Sequence, residues 1–245
     1  MPCEGAFVKR TDGEDEALPK ADAMSIIKTA FVSLAGKEIL DIGCGNGTLA
    51  RSLMDQGARV TGVDPNGEAL EAARRAVPSG TFHNAGAEAM PFANHSFDGA
   101  VFLNSLHHVP KLAMPRALRE AARVINPAGS IIVVEPLANG SFFSVLRIVE
   151  DETDIRAAAQ EIIDEMVKDE TFEQLSRTDY LRREHFTDLD QFLARIAAVD
   201  PARASVVEER RSEIEAAFRR YAQATADGRM TLEQPMRAHV LRTRR

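Results

Sequence analysis

The sequence predicts an α/β protein built on a doubly wound, mostly parallel sheet of seven strands. Two observations carry that expectation. Strand and helix signals alternate from residue 23 to residue 140, and the strand signals are apolar along their length, as in sheets covered by helices on both faces. Glycines, acids and histidines also cluster just after those strand signals, at the carboxyl edge where such sheets bind ligands.

The elements follow in order. Ala23, Ile26, Ile27, Ala30, Phe31 and Leu34 recur at helical spacing, and Gly36 is placed to stop that helix. "EILDIG" reads as the first strand, and "LARSLMDQG" as a helix with Leu49 and Leu53 inward. "ARVTGVD" is the second strand, followed by the helix "GEALEAARRAV". "TFHNAGA" and "SFDGAVFLNSL" are the third and fourth strands. Leu118, Ala121, Ala122 and Ile125 mark a helix that closes at "NPAG", before the fifth strand, "SIIVVEPL". After residue 140 helix signals dominate: Ile155 to Met166, a segment opened by a capping box from Thr187 to Asp190, and Val207 to Tyr221. "RREHF" and "MRAHVLRT" supply the last two strands. The expected organisation is a mobile, acidic arm over residues 1–22 and a ligand-binding core over 23–140. A mainly helical lid follows over 141–228, with helices at 141–179 and about 200–228 and a strand near 182–186. Residues 229–245 are the final strand.

The 245 residues are 44% apolar and 27% charged, with net charge −7 and no Trp, an ordinary globular composition. The lack of a basic stripe with stacking aromatics argues against nucleic acid as a partner. No apolar run approaches the ~20 residues that span a bilayer, and the N-terminus lacks a signal-peptide core, so no membrane partner is expected. Cys3 and Cys44 form neither a disulfide framework nor a metal pattern. The expected location is the cytoplasm, and no metal is expected because no His pair has ligand spacing. The sequence says nothing of oligomeric state.

Asp41 is followed by Gly43, Gly45 and Gly47. A dinucleotide loop would need glycine at position 48, which is Thr. A phosphate loop would need Gly-Lys-Ser/Thr, and there is no lysine between residues 38 and 110. A pyrophosphate would meet the Asp41 charge, whereas a ligand with cations there would be favoured. S-adenosylmethionine has an ammonium and a sulfonium, and a ribose diol that suits an acid at the end of the second strand, the place of Asp64.

At these residues the chain resembles the class I S-adenosylmethionine-dependent methyltransferases, in the small-molecule branch of ubiquinone, menaquinone and natural-product tailoring enzymes. Four segments carry the resemblance in the family's order: "ILDIGCGNGTLA", "VTGVDPN", "AEAMPFANHSFDGAVFLNSLHHV" and "ALREAARVINPAGSIIVVEP". It covers about residues 38–137 and implies a Rossmann-like core with a helical C-terminal lid. It also implies S-adenosylmethionine as cofactor, S-adenosylhomocysteine as product and a small-molecule acceptor. Asp41, Gly43, Cys44 and Gly45 resemble the turn that holds the methionyl end, and Asp64 the acid on the ribose hydroxyls, with Pro65 and Asn66 beside the adenine. Ala87 and Glu88 resemble the pair at the adenine amine, and Asn104 and Leu106 the segment near the sulfonium.

Plainer roles stand beside these. Asp64 also suits a helix N-cap, Glu88 a solvated acid, and Cys44 a packed side chain. For the reaction, the candidates that reach the methyl group are His107, His108 and Glu135. A histidine near neutral pKa suits general-base work on a hydroxyl, and a carboxylate can orient it. Neighbours in an extended segment face opposite ways, so one of the pair is expected to point inward, His108 before His107. Glu135 could instead anchor the lid. "NSLH" stands where amino-methylating enzymes have an Asn/Asp-Pro-Pro-aromatic segment, and no Pro-Cys nucleophile follows the fourth strand. O-methylation of a small molecule is the expected reaction, ahead of N- or C-methylation. A non-catalytic S-adenosylmethionine-binding regulator or partner subunit is the alternative.

Overall fold

The computed structural model describes residues 18–19, 21–199 and 202–244. Five strands are parallel: β1 (Glu38–Ile42), β2 (Arg59–Asp64), β3 (Thr81–Asn84), β4 (Phe97–Leu103) and β5 (Ile125–Pro136). Two long strands close the sheet in antiparallel fashion, β6 (Phe172–Phe186) and β8 (Met230–Thr243). The order is β3-β2-β1-β4-β5-β8-β6, with a two-residue β7 (Gln223–Ala224) paired to β8. The expected doubly wound, mostly parallel sheet is present.

The central strands are buried on both faces because neighbouring residues serve opposite layers. Ile131 and Val133 pack with Leu40, Phe102 and Leu118, beneath α4 (Met114–Val124) and α6 (Thr153–Lys168). Ile132 and Val134 pack with Ile39, Leu53 and Leu70 on the other side, beneath α1 (Ala23–Phe31), α2 (Thr48–Met54) and α3 (Gly67–Ala76). Each such side chain contributes about 1.5–3 kcal/mol of burial.

A third apolar cluster joins α5 (Gly140–Leu146), α7 (Leu189–Val199), α8 (Arg203–Glu209) and α9 (Arg211–Tyr221). Phe192 sits at its centre, edge-on to Phe142 and Phe186 at 5.7 and 5.3 Å between ring centroids. Because α5 starts four residues after β5 ends, this cluster is tied to the carboxyl edge of the sheet.

Two expectations change. Residues 172–179, read as helical cover, belong to β6, which is far longer than "RREHF". Only Phe172, Tyr180 and Phe186 of that strand are buried, so its charged face concealed the period-2 pattern. The capping box lies one residue later than Thr187–Asp190. Asp188 Oδ1 accepts from the Gln191 amide at 2.9 Å, and Gln191 Oε1 accepts from the Thr187 amide at 2.7 Å. Of the arm expected over residues 1–22, residues 1–17 and 20 lie outside the described residues. Pro19 accepts a hydrogen bond from the Leu181 amide, and Asp22 caps α1. Among the described residues no helix is long and apolar enough to cross a membrane.

Candidate active site

β1 ends at Ile42, and the chain turns through Gly43, Cys44 and Gly45 into α2. Gly43 has φ of +73°, and a Cβ there would lie 2.4 Å from the Ser105 Cβ. The Val63 carbonyl pins the turn by accepting from the amides of Gly43 and Cys44 at 2.8 and 3.0 Å. The Gly45 amide donates to Asp64 Oδ2 at 2.9 Å, and the Asn66 amide to Asp64 Oδ1 at 2.8 Å. Asn66, not Asp64, is the N-cap of α3: its side-chain oxygen accepts from the amides of Glu68 and Ala69. Backbone donors thus fix the Asp64 carboxylate, and each of its oxygens keeps a lone pair for a ligand.

Gly43, Gly45, Asp64, Pro65, Asn66, Ala87 and Glu88 line one cavity of about 700 Å³, inside the ~300–1,000 Å³ range of small-molecule sites. Asp41 and Cys44 line a second pocket, of about 300 Å³, that also borders Gly43. Asp41 is buried, and its Oδ2 has no hydrogen-bond partner. Burial, reinforced by the Asp64 charge, raises the Asp41 pKa to about 7. A buried acid short of partners is set for a cation. Cys44 packs its sulfur 2.7 Å from where a Cβ on Gly62 would stand. Burial, with the charges of Asp41 and Asp64, pushes that thiol far up, so it is no nucleophile.

After β4, Asn104 takes a left-handed conformation with φ of +53°, and its buried Oδ1 has no partner. Asn104 borders both of these cavities and a third. Glu135, at the end of β5 and only 1% exposed, organises the following loop. Its Oε1 accepts from the amides of Ser105 and Leu106 at 3.1 and 2.8 Å, and its Oε2 pairs with His107 Nδ1. Leu106 contributes only that amide, since its side chain is in the core.

Leu106–His108 form a 3-10 turn rather than the extended segment expected. Successive side chains are about 120° apart in such a turn, so His107 and His108 face the same pocket, with ring centroids 4.1 Å apart. Crowding by protein atoms and the adjacent His107 lower the His108 pKa, with Glu152 and Glu135 opposing.

The third pocket, of about 180 Å³, lies between these histidines and the C-terminal region. Phe142, Leu146 and Ile196 form an apolar wall, and charged side chains from α6, β6, α7 and α8 a polar one. Glu152, just before α6, accepts from Arg156 and Arg203, at 2.6 and 3.0 Å. Burial pushes the Glu152 carboxyl up, but Arg156, His107 and Arg203 together hold it below the usual range. His107, His108 and Glu152 have ligand-capable atoms within 4.8 Å of one another, a grouping the sequence spacing did not reveal. Both Glu152 oxygens face guanidiniums, which disfavours a metal cation there.

Residues 39–129 match the family described as a methyltransferase domain. Over this segment the chain is similar to a methyltransferase domain. Around this domain the chain is 38% identical over 103 residues to a ubiquinone biosynthesis O-methyltransferase of Vibrio cholerae, covering 40% of this chain and 41% of that protein. It is also 38% identical over 101 residues to a demethylmenaquinone methyltransferase of Chlorobaculum parvum, covering 41% of each. The chain therefore spans about two-fifths of the length of these relatives. Among solved structures, an S-adenosylmethionine-dependent methyltransferase of Methanosarcina mazei matches 90% of this chain and 98% of its own, with TM-score 0.52 at 21% identity. The [4+2]-cyclase SpnF matches 89% of this chain and 79% of its own, with TM-score 0.59 at 20% identity. These structural likenesses show the fold alone.

The methyltransferase domain's cofactor is S-adenosylmethionine, and the residues present fit it. The unpartnered Asp41 oxygen suits a cationic group. Gly45 has no atom within 4 Å of where a Cβ would stand, so a ligand can lie against the turn. Sequence reasoning missed Ser105, whose Oγ donates to the Ile42 carbonyl at 2.6 Å and ties β4 to β1 beneath the turn. It also missed the polar wall of Glu152, Arg156, Arg182, Glu184, Arg195 and Arg203. The same-face spacing of Arg182 and Glu184 within "RREHF" was the available signal.

Proposed function

We propose that this protein transfers a methyl group from S-adenosylmethionine to a hydroxyl of a small-molecule acceptor, with His107 as general base and Glu135 holding it. The observation that carries the reading is the meeting of three cavities at Asn104, one beside Asp41, one beside Asp64 and one beside His107. Asp41 would receive the ammonium, Gly43 and Gly45 would pass the methionyl chain, and Asp64 would accept from both ribose hydroxyls. Pro65, Asn66, Ala87 and Glu88 would border the adenine. Bound there, S-adenosylmethionine supplies an electrophilic methyl group and takes the bonding electron pair onto sulfur.

What the chain itself must do is align the acceptor, exclude water and take the hydroxyl proton. The Glu135 contact supports His107: with Nδ1 held by the carboxylate, Nε2 is left to receive that proton, and Glu135 stabilises the imidazolium. The assignment moves from His108 to His107 on this ground. The names of the curated relatives support an oxygen acceptor. Room on the acceptor side argues against a non-catalytic binder.

The test is S-adenosylhomocysteine release with a panel of phenols and hydroxy acids, for the wild type and His107→Ala. The expected result is turnover with at least one acceptor, reduced about 10²–10⁴-fold in the variant. Turnover kept within about threefold overturns the base assignment. No release with any acceptor favours the non-catalytic reading.

A further inference from the structure

The polar wall of the third pocket is not uniformly satisfied. Arg156 and Arg203 are both engaged: Arg156 donates to Glu152, the Leu137 carbonyl and Gln234, and Arg203 to Glu150 and Glu152. Arg182 and Arg195 instead share one carboxylate. Each has a terminal nitrogen 2.9 Å from Glu184, on Oε1 and Oε2 respectively. The Glu184 side chain is only 9% exposed, so two guanidiniums draw on one enclosed anion. The Arg182 Nε and the Glu184 Oε1 are both buried without a hydrogen-bond partner, so this ion pair leaves a cationic N–H and a carboxylate oxygen unsatisfied. Four arginines, Arg156, Arg182, Arg195 and Arg203, line the pocket against two glutamates, Glu152 and Glu184.

We propose that the acceptor is a small organic acid whose carboxylate binds Arg182 and Arg195. This names the substrate class of the methyl-transfer site and rests on that reading. Guanidiniums present planar pairs of donors that match a carboxylate, and Arg182 and Arg195 both line this pocket. The remainder of the pocket sets the body of the acceptor. Phe142, Leu146 and Ile196 suit an apolar ring. An apolar cavity of about 150 Å³ holds one benzene ring, so the pocket of about 180 Å³ has room for a single substituted ring. The hydroxyl to be methylated then lies towards His107 and Asn104.

The test uses the full chain saturated with S-adenosylhomocysteine and a matched probe pair, 4-hydroxybenzoate and its neutral amide, 4-hydroxybenzamide, followed by calorimetry. The expected result is acid binding at least tenfold tighter than amide binding. Arg182→Gln and Arg195→Gln should each reduce that preference to under threefold with the S-adenosylhomocysteine affinity unchanged. That unchanged affinity also reports that the variants are folded. An acid bound no tighter than the amide, or a preference that survives both substitutions, overturns this proposal and leaves the cofactor reading standing. Failure of S-adenosylhomocysteine itself to bind overturns both.

Discussion

In the proposed site, Asp41 sets the behaviour of the cofactor end. Its folded pKa of about 7 lies well above the ~3.9 of an unperturbed aspartate. The ligand-free fold therefore holds that proton more tightly than the unfolded chain does. Its contribution favours folding at low pH and is lost as pH rises through about 7. A cationic ligand reverses the preference. S-adenosylhomocysteine should bind more tightly as pH rises from 6 to 8 and level off above, with a proton released in calorimetry. Asp41→Asn should flatten that dependence and weaken binding at pH 8. Binding independent of pH in the wild type would show that the ammonium is not at Asp41. Gly43 is the other exposed point of the design. Its φ of +73° and the Ser105 side chain 2.4 Å from a would-be Cβ leave alanine no place, so Gly43→Ala should cost more than about 1 kcal/mol in urea unfolding. An unchanged midpoint would mean that the turn can relax.

The C-terminal helices meet the core through charge as much as through the phenylalanine cluster. Glu152 joins α6 to α8 through Arg156 and Arg203, all three being buried. Removing one member of such a network strands its partners. Glu152→Gln should raise amide exchange in α8 and leave β1, β4 and β5 protected. Equal exchange in the variant and the wild type would show that apolar packing alone holds α8. The carboxylate is held below its usual range, so its contribution is present above the unfolded ~4.3 and fades as the protein is acidified. At this scale the sequence was legible where elements are apolar throughout, as in "SIIVVEPL". It was illegible along β6, where a solvated face and three widely spaced buried aromatics give no short period. Of the paired histidines, the 3-10 turn buries His107 and leaves His108 exposed, the reverse of the order expected from an extended segment.

For the whole molecule, the cofactor half was readable because its residues follow in order along one ladder of strands. Asp41 and Asp64 stand in the last two residues of their strands, Asn104 directly after β4 and Glu88 in the loop after β3, and the parallel sheet brings those positions to one edge. The proposed acceptor half was not readable, because it is assembled from α5, α6, β6, α7 and α8. Its arginines and glutamates look like any solvated charge until the fold encloses them. The central claim is that this edge binds an adenosyl ligand through Asp64, and its most direct test is calorimetry with S-adenosylhomocysteine, NAD and an Asp64→Ala variant. The account predicts one S-adenosylhomocysteine per chain and no NAD binding. Hydrogen bonds to a charged group are worth about 1.5–3 kcal/mol, so the variant should bind about tenfold or more weakly. An absence of S-adenosylhomocysteine binding by the folded wild type would contradict it.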